Sequence, residues 1–227
     1  SRIFHPAVGF TAGWVSLIVG FAAPIAGSSL AFGSYLQTVF PAVNPTTAAM
    51  VLLLVVTLIN LASTNKAAKF QNIFTLLKVL LIASFIIGGI ALGQADHLVD
   101  GSFGTVSDSI LSAPFAVALI FVSYAYSGWN TSAYIAGEIH DPERGMPFTL
   151  ISGTFIVIAL YVGLNLVFLM STNADELSGK LEVAYVSATH LFGKNGGSAV
   201  SIIIALGLIS SVGAMVMTGP HIYARMG

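Results

Sequence analysis

The chain has 227 residues, of which 56 % are hydrophobic and 7 % charged, less than a third of the roughly 25 % charge of an ordinary soluble domain. Its 8 basic and 9 acidic residues are too few to coat a water-soluble fold of this size, which excludes a soluble enzyme and leaves a surface that must face lipid. A net charge of -1 offers no basic stripe for nucleic acid, and with no cysteine, disulfide scaffolds, thiolate metal sites and cysteine nucleophiles are excluded as well.

The chain opens Ser1-Arg2-Ile3-Phe4-His5-Pro6 and passes at once into apolar sequence, without the pattern of a signal peptide, and it closes on Met226-Gly227 directly after an apolar run. Both ends read as cuts within a longer protein. A bilayer core of about 30 Å takes about 20 helical residues, and apolar runs that approach or exceed this length occur at 7–39, 46–63, 70–92, 113–135, 149–170 and 199–223. The expectation is therefore an all-α integral membrane protein, with 1–227 a single, incomplete transmembrane domain of six spans. Two glycine pairs, Gly9/Gly13 and Gly89/Gly93, have the spacing that lets helices approach closely in lipid.

Six spans put both ends on one face, and the charges select it. Arg2, Lys66, Lys69, Arg144 and Arg225 fall on one side, while Lys180 and Lys194 on the other are diluted by Asp175, Glu176 and Glu182. The positive-inside rule then makes both ends cytoplasmic, in a multi-pass protein of the cell membrane. The stretch from Gly93 to Ser112 carries Asp96, Asp100 and Asp108 and no Lys or Arg, which suits an external loop, and 183–191 has the pattern of a short helix at the outer surface.

Within the third span, Lys78 follows Lys69 by nine residues, about 13 to 14 Å of helix, which is close to the midplane if the membrane begins near Lys69. A cation there costs on the order of 3 kcal/mol to insert and calls for partners inside the protein. If the helix enters later, near Asn72, Lys78 instead snorkels to the cytoplasmic face. The fourth span holds Tyr124-Ala-Tyr-Ser-Gly-Trp-Asn130, polar and glycine-containing where a lipid anchor would carry Leu or Val. Either the helix breaks there, freeing carbonyls toward a cavity, or it stays intact and its polar side chains bond across helices. After it, Glu138-Ile-His-Asp-Pro-Glu-Arg-Gly-Met-Pro147 reads as a charged cytoplasmic hinge whose two prolines stop the helix before the next span begins near Thr149. The five histidines stand singly, without metal-ligand spacing, and neither H-E-x-x-H nor G-x-S-x-G occurs, so neither a metal site nor an enzyme is expected.

Three stretches together resemble the amino acid-polyamine-organocation superfamily of secondary transporters, and most nearly its bacterial L-type-like permeases. They are Lys69-Phe-Gln-Asn-Ile-Phe-Thr-Leu-Leu-Lys78, the segment from Tyr124 to Asn130 with its tail Glu138 to Pro147, and Gly207-Leu-Ile-Ser-Ser-Val-Gly213 with Thr218-Gly-Pro-His-Ile-Tyr223. The resemblance implies a leucine-transporter-type fold, a five-plus-five inverted repeat, of which these six helices are the third to the eighth and the one at 113–135 is broken in the middle. It implies that carbonyls of Tyr124, Ala125 and Ser127 receive the substrate amino group, with the Tyr124 ring as a gate, and that Tyr126, Gly128, Trp129 and Asn130 complete that binding segment. It implies further that Lys78, with Ser210 or Ser211 as hydroxyl partner, replaces the bound cation of sodium-coupled relatives. Gly137 and His221 depart from the family pattern, at the cytoplasmic gate.

The function expected from this is secondary active transport of amino acids by alternating access, as a sodium-independent permease or exchanger whose partners are an amino acid substrate and the lipid bilayer, with no cofactor. A polyamine or organic-cation carrier is the alternative within transport, but it would want carboxylates inside the spans. A channel or a non-transporting helical scaffold is the alternative outside it, but a channel would spread its polar residues along a stripe rather than gather them at one level.

Overall fold

The computed structural model describes residues 5–62, 64–93, 110–128 and 141–226, and among these the regular structure is helical throughout. In chain order the elements are α1 (Pro6–Val15), a π-helical stretch (Ser16–Ala22), α2 (Ala23–Val39), α3 (Pro45–Ala62), α4 (Thr64–Leu92), α5 (Ala113–Ala125), α6 (Pro142–Ser171), the short α7 (Ala174–Leu177) and α8 (Val183–Met226). Two compact units are distinguished, one of residues 1–94 and 160–227, the other of 95–159. Four helical segments, Ala7–Val39, Ile73–Leu92, Glu143–Ser171 and Val183–Gly219, are long and apolar enough to cross a membrane, whereas Pro45–Leu61 and Ala113–Ala125 are apolar but shorter. The six spans read from the sequence thus become four of full length and two shorter helices among the described residues.

Local chemistry explains most of the boundaries. Pro6 occupies the first turn of α1, where a missing N–H costs nothing, and His5 Nδ1 accepts from the Ala7 amide at 3.2 Å. Pro24 would set its ring against the Gly20 carbonyl in a regular α-helix. Over Ser16–Ala22 the helix instead widens to π geometry, with the Ala23 N–H bonding to Ile18 O five residues back. At the start of α3, Asn44 Oδ1 accepts from the Thr46 and Thr47 amides at 3.0 and 3.2 Å and caps the helix.

Three expected boundaries are corrected. The third span is preceded by helix from Thr64 rather than starting at 70. The fifth starts at Pro142 rather than near Thr149: Asp141, at φ 54°, turns the chain, Gly145 N–H bonds to Asp141 O at 3.0 Å, and Pro142 sits where proline is favoured. Pro147 does not stop this helix, because so near its start the ring removes only the amide that would serve the Glu143 carbonyl, on an exposed residue. The sixth is helical from Val183 rather than 199, and the short helix foreseen at 183–191 is its first part, set off by Gly193 at φ 74°, ψ 176°. That part is more than a surface helix, since Ala184, Ser187 and Ala188 on it are buried.

In the larger unit α2 lies along both α3 and α8, and α8 also packs on α3 and α4. Tyr35, Ala184 and Ala205 form one buried cluster, Leu52, Val56 and Val212 another, and Phe32 touches both. Thr38 and Ser201 join α2 to α8 by a hydroxyl hydrogen bond of 2.8 Å. Large apolar side chains such as Leu54, Leu58, Ile73 and Ile87 are exposed, which is the polarity of a lipid-facing bundle. The Gly89/Gly93 pair does what its spacing suggested: a Cβ on Gly89 would lie 2.3 Å from Val167 Cγ1, and one on Gly93 3.0 Å from Met170 Cβ, so α6 rests against bare backbone of α4.

Outside the spans, Glu176 ties α7 to its surroundings. One carboxylate oxygen accepts from the Thr172 hydroxyl and the other lies 3.0 Å from His190 Nε2, while Tyr35 donates to Leu181 O at 3.4 Å. The Thr172 hydroxyl first, and then His190, hold the Glu176 carboxyl below its ordinary value of 4.5.

Two outcomes follow. Gly89→Leu in the full-length protein is expected to cost about 1–3 kcal/mol by overpacking against Val167, read as a lower melting temperature in detergent; unchanged melting would contradict the close approach. Because the Glu176 value is lowered in the folded state, its contribution is present above pH 4.5 and disappears as pH falls through the folded value. The protection factors of the amides at 183–192, with the intrinsic pH dependence of exchange divided out, should therefore fall on acidification in the parent and not in Glu176→Gln.

Candidate functional site

The smaller unit contains the segment from Tyr124 to Asn130. Ser112 caps α5, its hydroxyl accepting from the Phe115 amide at 3.3 Å, and Pro114 lies in the first turn. Regular helix ends at Ala125, inside the stretch the sequence marks for a break. Tyr126, at φ -92° and ψ 6°, still bonds through its N–H to Val122 O at 3.1 Å; the Ser127 N–H then bonds to Tyr124 O at 3.0 Å, and Gly128 takes φ 101°. The Tyr124 carbonyl faces the N–H groups of both Tyr126 and Ser127. Tyr124, Ala125, Ser127 and Gly128 are exposed and Tyr126 is half-buried. Trp129, Asn130 and the acidic tail 131–140 lie outside the described residues. A helix C-terminus of this kind presents carbonyls and a partial negative charge, the complement of an ammonium group.

The larger unit contains the lysine. Lys78 is half-buried on α4, and its Nζ donates to Ser211 Oγ on α8 at 3.1 Å; Ser211 Oγ in turn donates to Gly207 O at 3.2 Å. Lys78 therefore points to its neighbour helix. Of the two serines named as possible partners, Ser211 meets the lysine, and Ser210 is buried on the same turn.

Beside this pair lies a cavity of about 400 Å³ between α4, α6 and α8. Lys78 and Ser211 line it together with Phe85, Phe168, Phe192 and Ile204, and among the described residues Lys78 is its only charged lining residue. Phe85 stands between the other two rings, 6.3 Å from Phe168 and 6.0 Å from Phe192, in tilted arrangements. Sequence reasoning did not find these aromatics, which sit on three helices and share no spacing. Among the described residues no three His, Asp or Glu side chains gather as metal ligands.

Gly128 supports a direct test of the turn after α5. An added Cβ there meets nothing within 4 Å, so any cost is a backbone cost. Gly128→Ala is expected to lose about 1–3 kcal/mol and Gly128→Asn less, measured by melting of the purified full-length protein; an alanine variant as stable as the parent would remove the positive φ.

Comparison with known proteins agrees with this architecture. A sequence model of the family described as amino acid permease matches residues 1–226. Among curated relatives, the chain is 30 % identical over 221 residues to the serine/threonine exchanger SteT of Bacillus subtilis (strain 168), covering 96 % of this chain and 49 % of that protein. It is 30 % identical over 220 residues to the cystine/glutamate transporter of Homo sapiens, covering 93 % and 43 %, and 30 % identical over 205 residues to the large neutral amino acids transporter small subunit 2 of Mus musculus, covering 84 % and 38 %. The chain spans about half the length of these relatives or less, and their names are those of transporters and exchangers, not of enzymes. With its whole length matched and its apolar helices in place, the chain belongs to the amino acid permease family of the amino acid-polyamine-organocation superfamily.

Proposed function

We propose that the whole protein is a secondary active carrier of amino acids in the cell membrane, a sodium-independent permease or exchanger that works by alternating access. The relatives named for serine, threonine, cystine, glutamate and large neutral amino acids support the substrate class. On this reading the chain forms the third to eighth spans of a leucine-transporter-type inverted repeat, and both its ends face the cytoplasm, as the five basic residues of that side favour.

The observation that carries the proposal is the Lys78–Ser211 hydrogen bond at 3.1 Å beside an apolar cavity. A fixed ammonium between two spans occupies the place a bound cation would need and removes the requirement for one. Substrate is held at the segment 124–130: the helix end at Ala125 offers Tyr124, Ala125 and Ser127 carbonyls to the amino group, Tyr124 gates, and Tyr126, Gly128, Trp129 and Asn130 shape the pocket. A polyamine carrier is disfavoured, since among the described residues no acidic side chain lines the cavity beside Lys78 to receive a second amine.

The test is uptake of radiolabelled amino acids by the full-length protein in liposomes. Saturable uptake indifferent to a sodium gradient is expected, and Lys78→Ala should lower it by about tenfold or more, the scale of one hydrogen bond to a charged group, while the variant still inserts. Parental uptake by Lys78→Ala at several pH values would overturn the role given to the lysine, and strict sodium dependence would overturn the coupling.

A further inference from the structure

The side chain of Lys78 reaches Ser211 by running across α8 at one position, Gly207. A Cβ built on Gly207 would stand 3.1 Å from both Cγ and Cδ of Lys78, tighter than ordinary van der Waals contact. The lysine stem therefore lies on bare backbone, and Nζ meets the hydroxyl one helical turn further on. Gly207 contributes a second time through its carbonyl, which takes the Ser211 proton at 3.2 Å and so turns an oxygen lone pair toward the ammonium. Two independent contacts of one residue, to the stem and to the partner, set the position of the same cation.

From this we infer that Gly207 is the positioning residue for Lys78: it seats the lysine stem against α8 and orients Ser211 to receive its Nζ. The inference rests on the role proposed above for Lys78 and adds a requirement to it. Glycine is otherwise a poor choice in mid-helix, since alanine is the better helix former. If Gly207 did nothing but continue α8, replacing it with alanine would be neutral or stabilising. If it seats the lysine, any Cβ pushes Cγ and Cδ outward by a few tenths of an ångström, and a hydrogen bond already at 3.1 Å is stretched toward the limit of useful geometry. A branched side chain pushes further.

The experiment uses full-length protein carrying Gly207→Ala or Gly207→Val, with two readouts: amino acid uptake in liposomes, and the rate at which acetic anhydride acylates Lys78, followed by mass spectrometry. The acylation rate reports the lysine itself and does not require transport. The expected result is a fall in uptake of about three- to tenfold for alanine, the scale of a weakened charge-assisted hydrogen bond, and a larger fall for valine, with Lys78 acylated several-fold faster in the same order. Should the valine variant fail to fold, the alanine variant decides. Acylation of Lys78 at the parental rate in Gly207→Ala overturns the inference, whether or not uptake falls, because the glycine would then act on something other than the lysine. Faster acylation in Gly207→Ala, in a protein where Lys78→Ala transports normally, supports the seat and refutes the functional role of the lysine, so the two failures are told apart.

Discussion

An ammonium held between apolar helices is the constraint around which the larger unit is arranged. On the proposed reading, placing Lys78 at bilayer depth costs on the order of 3 kcal/mol, and a hydrogen bond to a charged group returns roughly 1.5–3 kcal/mol, so the two terms are of similar size and balance only while Ser211 is within reach. A slip of α4 past α8 by one turn, about 5.4 Å, would carry Nζ away from its acceptor and leave the cost unopposed. The pair therefore contributes to the register of the two helices, beside the ring contact of Phe85 with Phe192.

Several other hydroxyls of this unit are satisfied in a less demanding way. Ser29 donates to Ile25 O at 2.7 Å, Thr189 to Tyr185 O at 2.8 Å and Thr218 to Ala214 O at 2.9 Å, each returning its hydroxyl to the helix that carries it. Lipid supplies no hydrophobic drive for helices to associate, since the chains around them are as apolar as leucine. Association then depends on close contact, which small residues permit, and the bare backbone at Gly89, Gly93 and Gly207 provides it at three points. Outside the spans, where water competes, the ties are of another kind: Glu176 gathers Thr172 and His190 at the surface.

Reading the sequence succeeds where a property is set by composition or by one residue's chemistry. Lipid exposure follows from the scarcity of charge, the stop at Ala125 from a Ser-Gly pair between aromatics, and the lysine's turn toward another helix from the cost of leaving it in lipid. The hydroxyls of Ser210 and Ser211 could be named in advance, although only the packing of α4 on α8 decides that Ser211 is the one in contact. Helix limits are less legible: Pro147 is tolerated because it lies near the start of its helix, and the short helix expected at 183–191 is partly buried and leads past Gly193 into the sixth span. The π-helical turn at Ser16–Ala22 is a response to Pro24 that hydropathy does not register. The phenylalanine cavity is a product of three helices meeting, and no spacing along the chain encodes it.

The two polar devices differ in how they are satisfied, and the difference bears on coupling. Lys78 is a cation attached to the chain and hydrogen-bonded to a neutral hydroxyl within it, so its charge stays in place and repels a second cation. The end of α5 is the reverse: carbonyls at a helix C-terminus carry a partial negative charge that no side chain of the described turn supplies with a counter-ion. A charge of that sign and size is suited to a visitor that binds and leaves, because it attracts an ammonium without forming a fixed pair with it. On the proposed reading, the substrate amino group is that visitor. On that same reading, a carrier with its structural cation built in and its loosely held positive charge on the substrate would have no step at which sodium is required, which is how the Lys78–Ser211 contact would bear on ion dependence as well as on packing.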